Sequence, residues 1–179
     1  MVVLGAVLVP RRQGTRPRDR ATRPRLPRGR RLPWGGDLAD SRGSEGNDVA
    51  LDEDLRAFAT GTNFAALTTL FADGSPQTQV MWVDADDEHI LINTEVHRAK
   101  FRNVERDPRV TVTIWQHDDP YRYIEVRGEV TDIVRGPVAR EHIDRCAQRY
   151  FSRPYPAEQI TSERAILRIT PHRVLRRGV

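Results

Sequence analysis

The stretch that most limits what this chain can fold into runs from Asn63 to Asp84. NFAALTTLF is rich in Phe, Leu and Thr, ADGS supplies turn residues with Gly74 free to take a positive φ, and QTQVMWVD follows as a second strand-like run. Two such runs joined by so short a link have one economical solution, an antiparallel hairpin. A hairpin needs no crossover helix, so the chain is committed early to an antiparallel sheet rather than to a parallel one covered by helices.

The remaining pattern extends that choice. Leu51, Leu55 and Phe58 mark one apolar face of a short helix that Gly61 ends, with acids in its first turn. After an acidic turn at 84–88, HILIN (89–93) reads as a third strand. Residues 97–106 read as a helix stopped by Asp107-Pro108. VTVTIW (110–115) alternates as a strand, and 121–134 forms a long strand with a bulge or bend at Gly128. Pro137–Phe151 is a helix with Ala139, Ile143, Cys146 and Tyr150 on one face, and RAILRIT (164–170) is a last strand. Six strands with three helices predict a mainly β, α+β domain: a small six-stranded antiparallel barrel with its helices packed outside.

Charge separates this domain from what precedes it. The net charge of +4 averages two unlike parts: residues 1–46 hold eleven Arg against four acids, whereas 47–179 hold 18 basic and 21 acidic residues. The first part, broken by Pro10, Pro17, Pro24, Pro27 and Pro33, is expected to be a disordered Arg/Pro-rich extension. Three readings of it stay open: an extension without a specific role, a leader translated from a start upstream of the true one near Val49, and an arm for polyanions. The acidic domain argues against nucleic acid as a partner. No apolar run approaches the roughly 20 residues of a membrane span. One cysteine, Cys146, excludes an internal disulfide framework. The expected setting is the cytoplasm.

Chemistry concentrates in Ile92–Arg109. A strand ends in Asn93-Thr94, and Arg98 and Lys100 follow as a helix begins, with Arg102 a turn later. A hydroxyl, free helix N–H groups and basic side chains make an anion site. The alternative is a solvated basic helix paired with Glu105 and Asp107. Lys100 is the single lysine among 29 basic residues, a bias that GC-rich codon usage accounts for. The five histidines lack metal-ligand spacing, so no metal site is expected. No GxSxG, Walker or GxGxxG motif occurs, and no catalytic side chain is assigned.

Several blocks occur in order: Asp73-Gly74 with Pro76-Gln77, Arg98-Ala-Lys100-x-Arg102-Asn103 leading to Arg106-Asp107-Pro108-Arg109, and Gly128-Glu129. Over about residues 50–175 the chain resembles the pyridoxamine 5′-phosphate oxidase-like, FMN-binding split β-barrels, and within them the actinobacterial branch that uses the deazaflavin coenzyme F420. The resemblance implies that Arg98 and Lys100 grip a cofactor phosphate, with Asn93 and Thr94 adding hydrogen bonds. It implies that Thr78, Gln79, Val80 and Met81 lie along the tricyclic ring, and that the family's homodimer holds the cofactor in a groove between subunits. Trp115, Gln116 and Tyr123 would then approach from the partner chain. The Arg/His-bearing segment by which pyridoxamine phosphate oxidases hold their substrate has no counterpart here, so vitamin B6 oxidation is not expected.

The function expected is an oxidoreductase that uses F420 or FMN to move a hydride to or from a small organic substrate. The competing expectations are a flavin, deazaflavin or flat-ligand carrier without turnover, and nucleic-acid binding through the Arg-rich segment.

Overall fold

In the computed structural model the described residues are 50–179, and the basic N-terminal segment with its three readings lies outside them. Helix α1 (Glu53–Thr60) starts where Asp52 accepts a hydrogen bond from the Leu55 N–H at 3.0 Å, and it buries Leu55 and Ala59. β1 (Phe64–Leu70) and β2 (Pro76–Trp82) form the expected hairpin, Phe64 opposite Trp82 and Leu70 opposite Pro76. Gly74 takes φ 79° in the turn, and the Asp73 carboxylate accepts from the Ser75 N–H and hydroxyl. The remaining elements are β3 (Asp84–Ala85), β4 (Ile90–Glu95), α2 (Ala99–Arg106), β5 (Arg109–Trp115), β6 (Tyr123–Arg135), α3 (Pro137–Phe151), a 3-10 turn (Ala157–Gln159) and β7 (Arg164–Arg177).

The architecture is mainly β with flanking helices, and every strand pair is antiparallel. Two expectations need correcting. Among the described residues the sheet has seven strands, not six, in the order β2-β1-β5-β6-β7-β4-β3. Asp84–Ala85, read from sequence as part of an acidic turn, pairs with Ile90 and Leu91. Nor does a hydrogen-bonded ladder close the sheet into a six-stranded barrel. Its two edges, β2 and β3, are consecutive pieces of one chain segment separated by Val83 alone. This segment pairs with β1 up to Trp82 and with β4 from Asp84 onward, so the edges are joined covalently and the ladder is interrupted. β7 is also longer than expected, because its second half continues to pair with β6 as far as Tyr123 and Arg177. At Gly128 the register shifts, and a Cβ there would stand 2.2 Å from the Thr170 carbonyl oxygen, so the bulge requires glycine.

The core is built mainly from the strands. Leu67, Val83, Ile90, Ile92, Val112, Ile114, Ile124, Val126, Leu167 and Ile169 are almost fully buried, joined by Leu55 of α1 and Phe101 and Val104 of α2. Asn103 clips α2 to the hairpin by donating to Thr69 Oγ1 at 3.0 Å and Gln77 Oε1 at 3.2 Å. The seam at Val83 is sealed by the end of α3. Arg149 donates to the Val83 carbonyl at 3.2 Å and to Asp84 at 2.7 Å, and Tyr150 stacks on Trp82 at 5.1 Å. Among the described residues no helix is long and apolar enough to cross a membrane.

Arg149 therefore satisfies a backbone carbonyl that no ladder serves, as well as a buried carboxylate. Arg149→Met should cost roughly 2–3 kcal/mol in urea denaturation, because the Val83 carbonyl loses its donor and Asp84 keeps only His142. An unchanged midpoint would show that the seam closes without it.

Candidate functional site

A pocket of about 300 Å³ opens beside this seam, where β2 and β4 face each other without a ladder between them. Its walls come from β1 and β2 (Phe64, Val80, Met81, Trp82), the end of β4 (Asn93, Thr94, Glu95), the start of α2 (Arg98, Lys100), α3 (Ile143, Cys146), the following loop (Tyr155) and the first residue of β7 (Arg164). Of the residues singled out from sequence, Val80, Met81, Asn93, Thr94, Arg98 and Lys100 come together here. Thr78, Gln79, Arg102 and Trp115 are not in the lining. Thr78 bonds Thr68 across the hairpin, Arg102 donates to the His97 carbonyl, Trp115 packs near Phe64 with 6.5 Å between ring centroids, and Gln79 is exposed opposite Leu67.

One end of the pocket is cationic. Lys100 is 9% exposed, and among the described residues its ammonium makes no hydrogen bond or ion pair. Burial, then the positive charges of Arg98 and Arg164, push its pKa down to about 8. Arg164 is also buried, and its guanidinium lies over the Tyr155 ring at 5.3 Å. The single carboxylate in the lining among the described residues, Glu95, is already engaged. It accepts from the Thr161 and Ser162 N–H groups at 2.6 and 2.9 Å and from Arg98 at 3.2 Å. Burial alone would raise the Glu95 pKa, but those donors outweigh it and hold the carboxyl below its ordinary range. The Thr94 hydroxyl is buried in the same wall without a hydrogen-bond partner among the described residues. A buried hydroxyl without a partner, beside a largely buried lysine that also lacks one among the described residues, is costly unless a ligand completes the pair. Their chemistry fits an anion with several acceptor oxygens, such as a phosphate.

The other end is apolar and aromatic. Trp82 meets Tyr155 edge-on at 6.0 Å, and Phe64, Val80, Met81 and Ile143 complete the wall. Cys146 lies on this side, and burial, then the Asp84 charge, raise its thiol to about 11, so it stays protonated.

Asn93 is committed inward rather than to the pocket. Its amide donates to the Ala139 carbonyl at 2.7 Å and to His142 Nδ1 at 3.0 Å, and its oxygen accepts from Arg164 Nε at 2.7 Å. Sequence reasoning missed Arg164, His142 and Tyr155. A charged residue opening the otherwise apolar strand RAILRIT was a usable signal for Arg164, which the register sets opposite Glu95. His142 is a lone polar residue on the buried face of α3, and nothing in the sequence links it to Asn93 or Asp84. Asp84, His142 and Cys146 bring three donor atoms within 4.8 Å of one another, a grouping the spacing does not announce. Asp84 there is bonded to Arg149 and His142, which favours a hydrogen-bond network over a metal centre.

The pattern of the pyridoxamine 5′-phosphate oxidase family matches residues 51–177. Among solved structures, the chain is similar to an F420 reductase, with 31% identity and a TM-score of 0.60 over 69% of this chain and 98% of that one. It is also similar to a conserved hypothetical protein from Mycobacterium tuberculosis, with 25% identity and a TM-score of 0.56 over 73% and 87% of the two chains. The heme storage protein of Vibrio cholerae shares the fold at 14% identity, with a TM-score of 0.51 over 73% and 96%. On the match across 51–177, this chain belongs to the pyridoxamine 5′-phosphate oxidase family.

Proposed function

We propose that the chain is an oxidoreductase that binds coenzyme F420 or FMN in the pocket beside Val83, taking the seam as the split of the family's barrel. The observation that carries this reading is the pairing of a cationic end, where Arg98, Lys100 and Arg164 face the one carboxylate of Glu95, with an aromatic end, the two features a phosphorylated flat ring requires. The 31% identical F420 reductase supports it. When bound, the cofactor supplies hydride transfer. The chain's own contribution is to hold and shield. Arg98, Lys100 and Thr94 meet the phosphate, while Val80, Met81 and Trp82 flank the ring and keep water from it. The substrate is a small organic molecule that stacks on the ring's open face, and a cytoplasmic setting supplies the reduced cofactor.

Fluorescence titration with F420 and with FMN tests the site. Arg98→Ala combined with Lys100→Ala should weaken binding by at least roughly tenfold through lost charge-assisted contacts. Unchanged affinity removes the phosphate assignment. Binding without oxidation of the reduced cofactor by any quinone, enone or tetrapyrrole would favour the carrier reading instead.

Lys100 makes the affinity depend on pH. Its pKa in the free protein is about 8, and a bound anion raises it, so binding takes up a proton above that pH. Affinity should hold below pH 8 and then fall by up to roughly tenfold per unit as pH rises. Stability carries the opposite sign. Folding lowers this pKa from 10.5, so the charged lysine opposes folding below pH 8 and relief comes as pH rises toward 10.5. Lys100→Met should therefore stabilise the ligand-free protein by on the order of 2 kcal/mol while weakening and flattening the pH profile of binding. A Met variant less stable than the parent contradicts this.

The homodimer rests on β2. It is an edge strand of the sheet, and Val80 is 66% exposed although it lines the pocket. A second copy covering it would bury Val80 and narrow the opening. Light scattering should give a dimer, and Val80→Asp should shift it to monomer with weaker cofactor binding. A monomer that binds with full affinity overturns the shared groove.

A further inference from the structure

Behind the pocket, a run of buried polar groups leads from α3 to Arg164, and the cofactor reading leaves it without a task. Arg149 donates to Asp84 Oδ1, His142 Nε2 lies 3.2 Å from Asp84 Oδ2, Asn93 donates to His142 Nδ1, and Arg164 Nε donates to Asn93 Oδ1. The chemistry fixes each orientation. An arginine only donates, so the Asn93 oxygen must face it. The Asn93 amide then donates to the Ala139 carbonyl and to His142 Nδ1. Nδ1 is thereby the acceptor, and the ring carries its proton on Nε2, toward Asp84. His142 is 1% exposed, Asn93 7% and Asp84 7%, so these bonds lie in a largely buried setting.

The run ends on an unfinished group. Arg164 is 8% exposed, and Nε provides its one hydrogen bond among the described residues. Its Nη1 stands 4.0 Å from Glu95, whose carboxylate is occupied by Thr161, Ser162 and Arg98. Packing α3 on the sheet does not call for such a device, since apolar side chains of similar volume do that at less cost. A guanidinium held through Nε, on a residue of the pocket wall, suits a ligand that brings oxygens to its other nitrogens.

We propose that Arg164 grips the cofactor phosphate alongside Arg98 and Lys100, and that His142, backed by Asp84, is a positioning residue that aims Arg164 through Asn93. This deepens the reading above and rests on it. His142 touches no ligand. Its effect is confined to where the guanidinium points, so it governs discrimination between phosphorylated and unphosphorylated ligands more than affinity for the ring.

Fluorescence titrations of the full chain compare FMN with riboflavin, and F420 with its phosphate-free chromophore. Thermal denaturation of each unliganded variant checks folding. The parent protein should prefer the phosphorylated member of at least one pair. Arg164→Lys and His142→Leu should each lose roughly fivefold or more of that preference. His142→Gln, whose amide oxygen accepts from Asn93 as Nδ1 does, should keep it within about twofold. A parent protein without any preference overturns the phosphate reading and this inference together. A parent that prefers phosphate, with His142→Leu retaining the preference, losing both ligands equally, or matched in its loss by His142→Gln, overturns the positioning role alone. If His142→Leu does not fold, Arg164→Lys decides, and an undiminished preference there overturns the proposal.

Discussion

One strand that changes partners governs the rest of this structure. Residues 76–82 pair with β1 and residues 84–85 with β4, leaving Val83 as the joint between the two edges of the sheet. A continuous ladder there would satisfy every backbone group and leave no room for a ligand. The interruption leaves polar groups that need other partners, and α3 supplies them through Arg149 on the Val83 carbonyl and on Asp84. Space remains between β2 and β4, and the pocket occupies it.

The pocket is a place where stability is given up. Among the described residues Lys100 and the Thr94 hydroxyl have no hydrogen-bond partner, and Arg164 is buried with Nε as its one hydrogen-bond donor in use and Glu95 4.0 Å from Nη1. Against them stands Glu95, whose acceptor capacity is spent on backbone N–H groups and Arg98. Such imbalance is unfavourable in a water-poor site and becomes favourable when an anion arrives. The Asp84 carboxyl shows the contrasting case. Burial would raise its pKa, but the hydrogen bonds from His142 and Arg149 prevail and keep it below the ordinary value. One buried charge is thus paired within the fold, while Lys100 has no such partner among the described residues.

Much of the fold was legible locally. The hairpin followed from two strand-forming runs around Asp73-Gly74, and the faces of α1 and α3 followed from helical spacing. The two-residue strand β3 was not legible, because Asp84-Ala85 within a run of acids carries no strand pattern. It pairs only since β4 passes beside it. The second half of β7 was missed for a similar reason, as its exposed, Arg-rich residues take strand geometry from β6. In the pocket lining, Arg98, Lys100 and Thr94 had been singled out as neighbours in sequence. Asn93 was found too, but its side chain is turned to His142, Ala139 and Arg164, a commitment that depends on residues from α3 and β7.

The sequence by itself therefore determined an antiparallel sheet domain with helices on its flanks, and the short segment that carries its basic cluster. Those properties depend on backbone preferences and on spacing within a few residues. The tertiary structure alone decided that the sheet stays open at Val83, that Arg164 and Tyr155 join the cluster, and that Asp84, His142 and Asn93 form one buried run. Each of these unites residues far apart in the chain, and their hydrogen bonds form only once folding has excluded water and fixed the register between β4 and β7.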